Sequence, residues 1–167
     1  MTTWLDANLS VNTGPGSLED MKRSEALKLL SHEHHQGLFA ALQLKRASAE
    51  TAGEARTVFL DFYERHGAHH FRAEEELLLP AYARHTSCDR PEVVRVLTEH
   101  VDLRRRGQDL EANADLDPSA LRELGERLER HIRFEERELF PMIEAALSDD
   151  ELAQLGAAFA RAEGGNG

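Results

Sequence analysis

Residues 70–80 read His-Phe-Arg-Ala-Glu-Glu-Glu-Leu-Leu-Leu-Pro, and residues 131–141 read His-Ile-Arg-Phe-Glu-Glu-Arg-Glu-Leu-Phe-Pro. Aligned without a gap, they share the His, the Arg, two consecutive Glu, a Leu and the closing Pro. A Glu-His pair lies upstream of each: Glu33-His34 before the first and Glu99-His100 before the second. The chain therefore reads as an internal duplication, each half built as Glu-His followed by His-x-x-x-Glu. A repeat of this kind constrains architecture before any other signal, because both halves must adopt the same local structure.

The spacing carries chemistry. On a helix, residues i and i+4 lie one above the other on the same face. His70 thus points the same way as Glu74, and His131 the same way as Glu135. Four helices, each presenting one His inward and two adding a Glu, bring four imidazoles and two carboxylates into one core. That set has the composition of a dinuclear metal site, and imidazole with carboxylate suits iron, manganese or zinc. A lone His on an apolar stripe is usually a hydrogen-bonded core residue. Four His and two Glu buried together need partners, since an unpaired buried charge costs several kcal/mol. A metal pair supplies those partners; an ion-pair cluster without metal is the plain alternative.

The rest of the chain reads as helices joined by short breaks. Residues 1–16 are rich in Asn, Thr, Gly and Pro and read as an irregular arm, in which Trp4 and Leu5 either pack on the body or stay free. Ser17 with Asp20 resembles a helix start. From there to about Ala47, Leu27, Leu30, His34, Leu38 and Ala41 form an apolar stripe. His35 lies on a neighbouring stripe with Leu38, Phe39 and Leu42, and the Glu-His repeat favours His34 over it. Thr51 and Glu54 have capping-box spacing for a second helix to about Arg84. Phe59, Phe62, His66, His70, Glu74 and Leu77 are expected on one face of it. Gly67 invites a close helix contact, and Pro80 should kink the helix or begin its end.

Residues 85–89 form a loop. Pro91 starts a third helix, whose expected face is Val93, Val96, Leu97, His100 and Leu103. Asp117-Pro118 reads as N-cap and first residue of a fourth helix, running through Leu121, Leu124, Leu128, His131, Glu135 and Leu139, with Pro141 as the equivalent of Pro80. Ser148 to Glu151 is a second capping box, opening a short last helix before a Gly-rich end read as disordered. Short connections make sequential helices antiparallel neighbours. The expected fold is all-α: an antiparallel up-down-up-down four-helix bundle over residues 17–147, with a short extra C-terminal helix in residues 148–167.

Composition narrows the function. The chain has 167 residues, which favours one domain. Its formal charge of −11 argues against nucleic acid as a partner and against anionic membranes. The one cysteine, Cys88, excludes an intramolecular disulfide and a Cys-rich metal site. With no apolar run long enough to span a bilayer and no signal-peptide pattern, the expected location is the cytoplasm.

Taken as a set, these motifs resemble the hemerythrin-like (HHE) cation-binding domain over about residues 21–147. The resemblance implies an antiparallel four-helix bundle holding a non-haem dinuclear centre, with iron as the expected metal. Carried over position by position, it implies His34, His70, His100 and His131 as nitrogen ligands and Glu74 and Glu135 as bridges between two ions. Open metal positions would then accept O2 or a related small molecule such as NO or peroxide, for storage, sensing or detoxification. A redox enzyme decomposing peroxide or NO is the alternative, as is iron storage or iron-centre repair; repair proteins of this type carry a Cys-containing N-terminal region, which residues 1–20 do not provide. Oxygen carriers of the family have a His-x-x-x-His pair on the third helix, where this chain has Arg104 as the second member. His66, one turn before His70, is a candidate fifth imidazole, or else a residue at the end of the cavity, and Tyr63 a weaker candidate near the same end. Glu33, Glu75, Glu99 and Glu136 each adjoin an implied ligand, and either accept the outer N–H of a metal-bound His or form a solvated flank. His32, His69 and His85 are assigned to the surface, and Arg72 and Arg133 to pairs at i+3 or i+4.

Overall fold

The computed structural model describes residues 23–113 and 117–164. Helix α1 is Glu25–Lys45. Helix α2 covers residues 52–82 and is interrupted by two wide, π-type turns, Tyr63–Gly67 and Glu74–Leu78. Helix α3 is Pro91–Ala112. Helix α4 covers residues 118–146, with a third wide turn at Glu135–Leu139. Helix α5 is Asp149–Gly164. The described residues are all helix and connection, as the periodicity predicts. The irregular arm, the helix start at Ser17 and the Gly-rich end lie outside the described residues. Among those described, no helix is long and apolar enough to cross a membrane.

Several boundaries follow local chemistry. Pro91 and Pro118 occupy the first helical turn, where a missing N–H costs nothing. Asp117 caps α4 by accepting a 2.8 Å hydrogen bond from the Ser119 N–H. Ser148 and Glu151 form the reciprocal capping box of α5: the Ser148 N–H donates to the Glu151 carboxylate at 3.0 Å and the Glu151 N–H to the Ser148 hydroxyl at 3.4 Å. The box expected at Thr51 does not form. The Thr51 hydroxyl instead accepts from the Ser48 N–H at 2.9 Å, closing the α1–α2 connection.

The four long helices surround two apolar clusters with a polar layer between them. At one end Leu27, Leu30, Leu78, Val96, Phe140 and Ile143 pack together under Leu155 and Phe159 of α5. At the other end Ala41, Leu44, Phe59, Leu103, Leu124 and Leu128 make the second cluster. Among the described residues, His34, His70, Glu74, His100, His131 and Glu135 are the buried polar ones. The expected faces need adjustment: Leu97 is 39% exposed rather than core, and on α2 Phe71, Ala73 and Leu78 join His70 and Glu74 as buried residues, whereas Leu77 is half-buried.

Helix α4 comes close against α1 where it carries Gly125. A Cβ there would stand 2.7 Å from the Ala41 carbonyl oxygen and 2.8 Å from the Leu44 Cβ. The backbone cannot yield as a long side chain would. Gly125→Ala is therefore expected to destabilise the protein by about 1–3 kcal/mol, as overpacking does. Gly53, with nothing within 4 Å of its would-be Cβ, should tolerate Ala with no loss or a slight gain. Urea unfolding of the two variants checks the contrast.

Candidate metal centre

The polar layer is assembled one His per helix: His34 from α1, His70 from α2, His100 from α3 and His131 from α4. Glu74 and Glu135 enter from α2 and α4 at i+4 from their own helix's His. All six side chains are buried, both carboxylates to 0% exposure.

The inward-facing atoms converge without pairing properly. The Glu135 carboxylate reaches one oxygen to within 3.1 Å of His34 Nε2, and the other to within 3.0 Å of His131 Nε2 and 3.5 Å of His100 Nε2. Glu74 places its two oxygens 3.4 Å from His70 Nε2 and 3.2 Å from His100 Nε2. Each carboxylate thus spans from the first-half imidazoles to the second-half ones. Despite these distances, both oxygens of Glu74, both of Glu135, and the Nε2 atoms of His100 and His131 have no aligned hydrogen-bond partner. His34 Nε2 and His70 Nε2 face each other at 3.0 Å and share one hydrogen, whereas the six unpartnered atoms point at common spaces. Buried polar atoms without partners are costly, and a cation between them removes the cost. Two such groups could hold a metal ion: His34, His70, Glu74 and Glu135, and His100, His131 and Glu135. Glu135 belongs to both.

The outer nitrogens explain why Nε2 is the inward atom. His34 Nδ1 lies 2.6 Å from Glu136, His70 Nδ1 2.8 Å from Glu33, His100 Nδ1 2.8 Å from Glu75, and His131 Nδ1 2.9 Å from Glu99. In each pair the ring N–H donates to the carboxylate, which turns Nε2 inward. Each Glu serves the His of a different helix, so the four bonds close a ring around the bundle: α1 to α2, α2 to α3, α3 to α4, α4 to α1. Three of the outer carboxylates are themselves held by Arg. Arg23 meets Glu136 at 2.7 Å, Arg95 meets Glu99 at 2.8 Å, and Arg104 grips both oxygens of Glu75 at 2.8 Å.

Arg104, the departure noted in the sequence, thus points along the outer seam. It also lies over the Phe71 ring at 5.5 Å, and Phe71 stacks on His100 with centroids 4.1 Å apart. Phe140 stacks on His34 at 5.4 Å.

His66 is not in the layer. It is half-buried and lines a surface groove with Gln36 and Asp61. The reason is the wide turn Tyr63–Gly67, which adds a residue to the turn and swings the preceding residues by about 100° relative to His70. The expected single face through His66, His70 and Glu74 breaks there. Tyr63 is half-buried and stacks on Phe59 at 5.9 Å; burial raises its pKa, with Arg104 opposing. His35 and His32 are exposed, His85 is exposed and bonded to Glu151 at 2.7 Å, and His69 is half-buried rather than on the surface. Arg72 pairs forward with Glu76, whereas Arg133 pairs backward with Glu129.

A family model described as the hemerythrin HHE cation binding domain matches residues 30–143. The chain belongs to this family. No curated protein and no solved structure matches it. The matched span contains all six residues of the polar layer and all four outer carboxylates.

The electrostatics of the metal-free layer have a definite sign. Burial disfavours a charged His100, but the carboxylates of Glu135, Glu74 and Glu75 overcome it and lift its pKa to about 11. Burial likewise opposes charge on His70, and Glu74 and Glu33 raise it to about 10. Burial opposes ionisation of Glu75 and Glu136, yet His100 with Arg104, and His34 with Ser31 and Arg23, hold each near about 2. A raised His contributes stability that is complete below its unfolded value of ~6.5 and is lost as pH rises through the folded value. A depressed Glu contributes stability that is complete above its unfolded value and is lost as pH falls through the folded one. Metal-free protein should therefore melt highest between about pH 5 and 6.5 and lose stability toward pH 10. Thermal melts across that range in the presence of a chelator test the slope.

Proposed function

We propose that this chain is a non-haem dinuclear metal protein, with iron as its expected metal, that engages O2 or a related small molecule such as NO or peroxide. The observation carrying this reading is the pair of buried carboxylates whose oxygens are unpartnered while facing four imidazole Nε2 atoms. On this reading His34 and His70 with Glu74 and Glu135 would hold one ion, and His100 and His131 with Glu135 the other. Bound iron would supply redox equivalents and open positions for a small ligand. The protein's own part is to hold the four imidazoles in one tautomer through Glu33, Glu75, Glu99 and Glu136, to stack Phe71 and Phe140 on two of them, and to keep bulk water out with the apolar clusters above and below. A cavity of about 10 Å³ beside His34, His70, His131 and Glu135 is walled by Phe62, Phe71, Leu128 and Ile132. It is no larger than a single water needs, which counts against a bulky substrate at the layer. Binding for storage or sensing differs from turnover of peroxide or NO in one measurement: catalytic loss of the small molecule beyond one equivalent per site.

The reading is tested by elemental analysis and an optical spectrum of protein purified without added metal, before and after reduction and exposure to air. Two metals per chain with a spectrum responsive to both treatments is the expected result; protein that takes up no metal overturns it. Glu74→Ala or Glu135→Ala should abolish one or both ions. Glu75→Gln or Glu136→Gln should retain them with affinity lowered about 10–100-fold, because these residues act through a His. Equal loss in all four variants would contradict the assignment of inner and outer carboxylates.

Metal also inverts the pH dependence. Ligation requires every Nε2 to be free of a proton, so metal competes with protons that the metal-free layer holds into the alkaline range. The melting temperature gained on loading should grow as pH rises from 6 toward 9, by mass action on the native state. Parallel melts of metal-free and loaded protein measure it, and a gain independent of pH would count against direct His ligation.

A further inference from the structure

The small cavity beside the His/Glu layer and the large groove on the outside of α1 and α2 share one wall. Phe62 lines both. The groove has a volume of about 460 Å³ and a polar rim that includes Gln36, Thr57, Asp61, Arg65 and His66. The inner cavity has the layer itself as its floor.

Two glycines make room for the ring between them. A Cβ on Gly37 of α1 would stand 3.1 Å and 3.4 Å from Phe62 ring carbons and 2.7 Å from the Ile132 side chain. A Cβ on Gly67 of α2 would stand 3.2 Å and 3.4 Å from the same ring. The 3.1 Å and 3.2 Å approaches are tighter than ordinary van der Waals contact, so a side chain at either position would press on the ring. Phe62 is half-buried and immediately precedes the wide turn Tyr63–Gly67. The ring is thus held by packing alone, at the point where α2 changes pitch, between solvent and the layer.

We propose that Phe62 determines which small molecules reach the metal layer and how fast, by separating the Gln36–His66 groove from the inner cavity. The proposal rests on the metal reading for what the visitor meets inside, but not for the path. A diatomic molecule or a linear triatomic anion passes when the ring turns aside about its side-chain torsions; bulkier molecules stay in the groove. His66 then stands at the mouth of the path rather than at the metals, which accounts for a histidine near the site that does not join it.

Two experiments test this on the full chain. In the iron-loaded protein, azide association is followed by stopped-flow absorbance. Phe62→Ala should raise the rate at least about tenfold and Phe62→Trp should lower it by a similar factor, within the range over which association rates respond to single residues. Val101→Ala, an exposed residue of α3, should leave it unchanged. Rates within a factor of about two of the parent in both Phe62 variants would overturn the proposal. Phe62→Leu replaces Phe62→Ala if the smaller residue loses the fold.

The second experiment needs no metal, and so separates failure of the path from failure of the metal reading. Dissolved O2 is paramagnetic and speeds relaxation of methyl protons it can approach. The chain has two isoleucines, Ile132 and Ile143. Ile132 walls the inner cavity, whereas Ile143 is fully buried in the other apolar cluster. In iron-free protein, O2-induced relaxation at the Ile132 δ1 methyl should rise severalfold in Phe62→Ala and fall in Phe62→Trp, while Ile143 stays constant. An Ile132 signal equal in all three proteins would overturn the path even if two metals bind.

Discussion

Everything in this bundle depends on the ring of four outer hydrogen bonds, from Glu33, Glu75, Glu99 and Glu136 to the Nδ1 atoms of His70, His100, His131 and His34. An imidazole can offer an Nε2 lone pair inward only if its proton is taken up elsewhere. Each helix supplies one His and one outer Glu, and the Glu serves the next helix. The four helices are thus fixed in rotation relative to one another by the same contacts that orient the inner atoms. Rotating any one helix enough to relax its own His would break two seams at once. The apolar clusters on either side hold the helices together but do not specify rotation so tightly, since Leu and Ala stripes tolerate sliding better than a buried 2.6–2.9 Å bond does.

The ring also repeats the duplication. Glu75 to His100 corresponds to Glu136 to His34, and Glu33 to His70 corresponds to Glu99 to His131. The wide turns repeat as well: Glu74–Leu78 and Glu135–Leu139 begin at the two inner carboxylates and end just before Pro80 and Pro141. A proline ring collides with the carbonyl four residues back in an α-helix. A wider turn before it relieves the collision, and the local change of pitch directs Glu74 and Glu135 across the layer. The kink expected from Pro80 is thus taken up within the turn that carries the site, where such bulges often lie.

The inner layer was legible in sequence because it obeys the i, i+4 rule on regular helix and occurs twice. The capping of α4 by Asp117 and of α5 by Ser148 and Glu151 was legible because caps are local. What was not legible depends on tertiary neighbours or altered pitch. Glu33 and Glu136 sit beside an inner residue in the chain but serve a His on another helix, and residue order alone does not distinguish that from a solvated flank. His66 was placed on the inner face by a count of 3.6 residues per turn, and the wide turn at Tyr63–Gly67, which has no Pro of its own, moved it to the groove. Thr51 had the letters of a capping box, but Ser48 claimed its hydroxyl.

Charge ties these parts together. Around the layer, the carboxylates of Glu33, Glu74, Glu75, Glu99, Glu135 and Glu136 face the guanidiniums of Arg23, Arg95 and Arg104. Arg23 also pairs with Glu144 at 2.9 Å, so with neutral imidazoles these seven carboxylates exceed the three guanidiniums by four charges. The part of that shortfall carried by the fully buried Glu74 and Glu135 is costly. Without metal the imidazoles make it good by keeping protons far into the alkaline range, which is the origin of the raised pKa values of His70 and His100. Two divalent ions would bring four positive charges to the same place and expel those protons. Protons and metal are therefore alternative occupants of one electrostatic deficit. Arg104 matters here in a way a fifth histidine would not: it binds Glu75 from outside, fixes His100 through it, and adds a permanent charge to the seam without entering the layer. The acidic cluster and its three arginines leave a site short of positive charge, and the outer carboxylates hold each Nδ1–H so that any proton given up leaves from the inward Nε2.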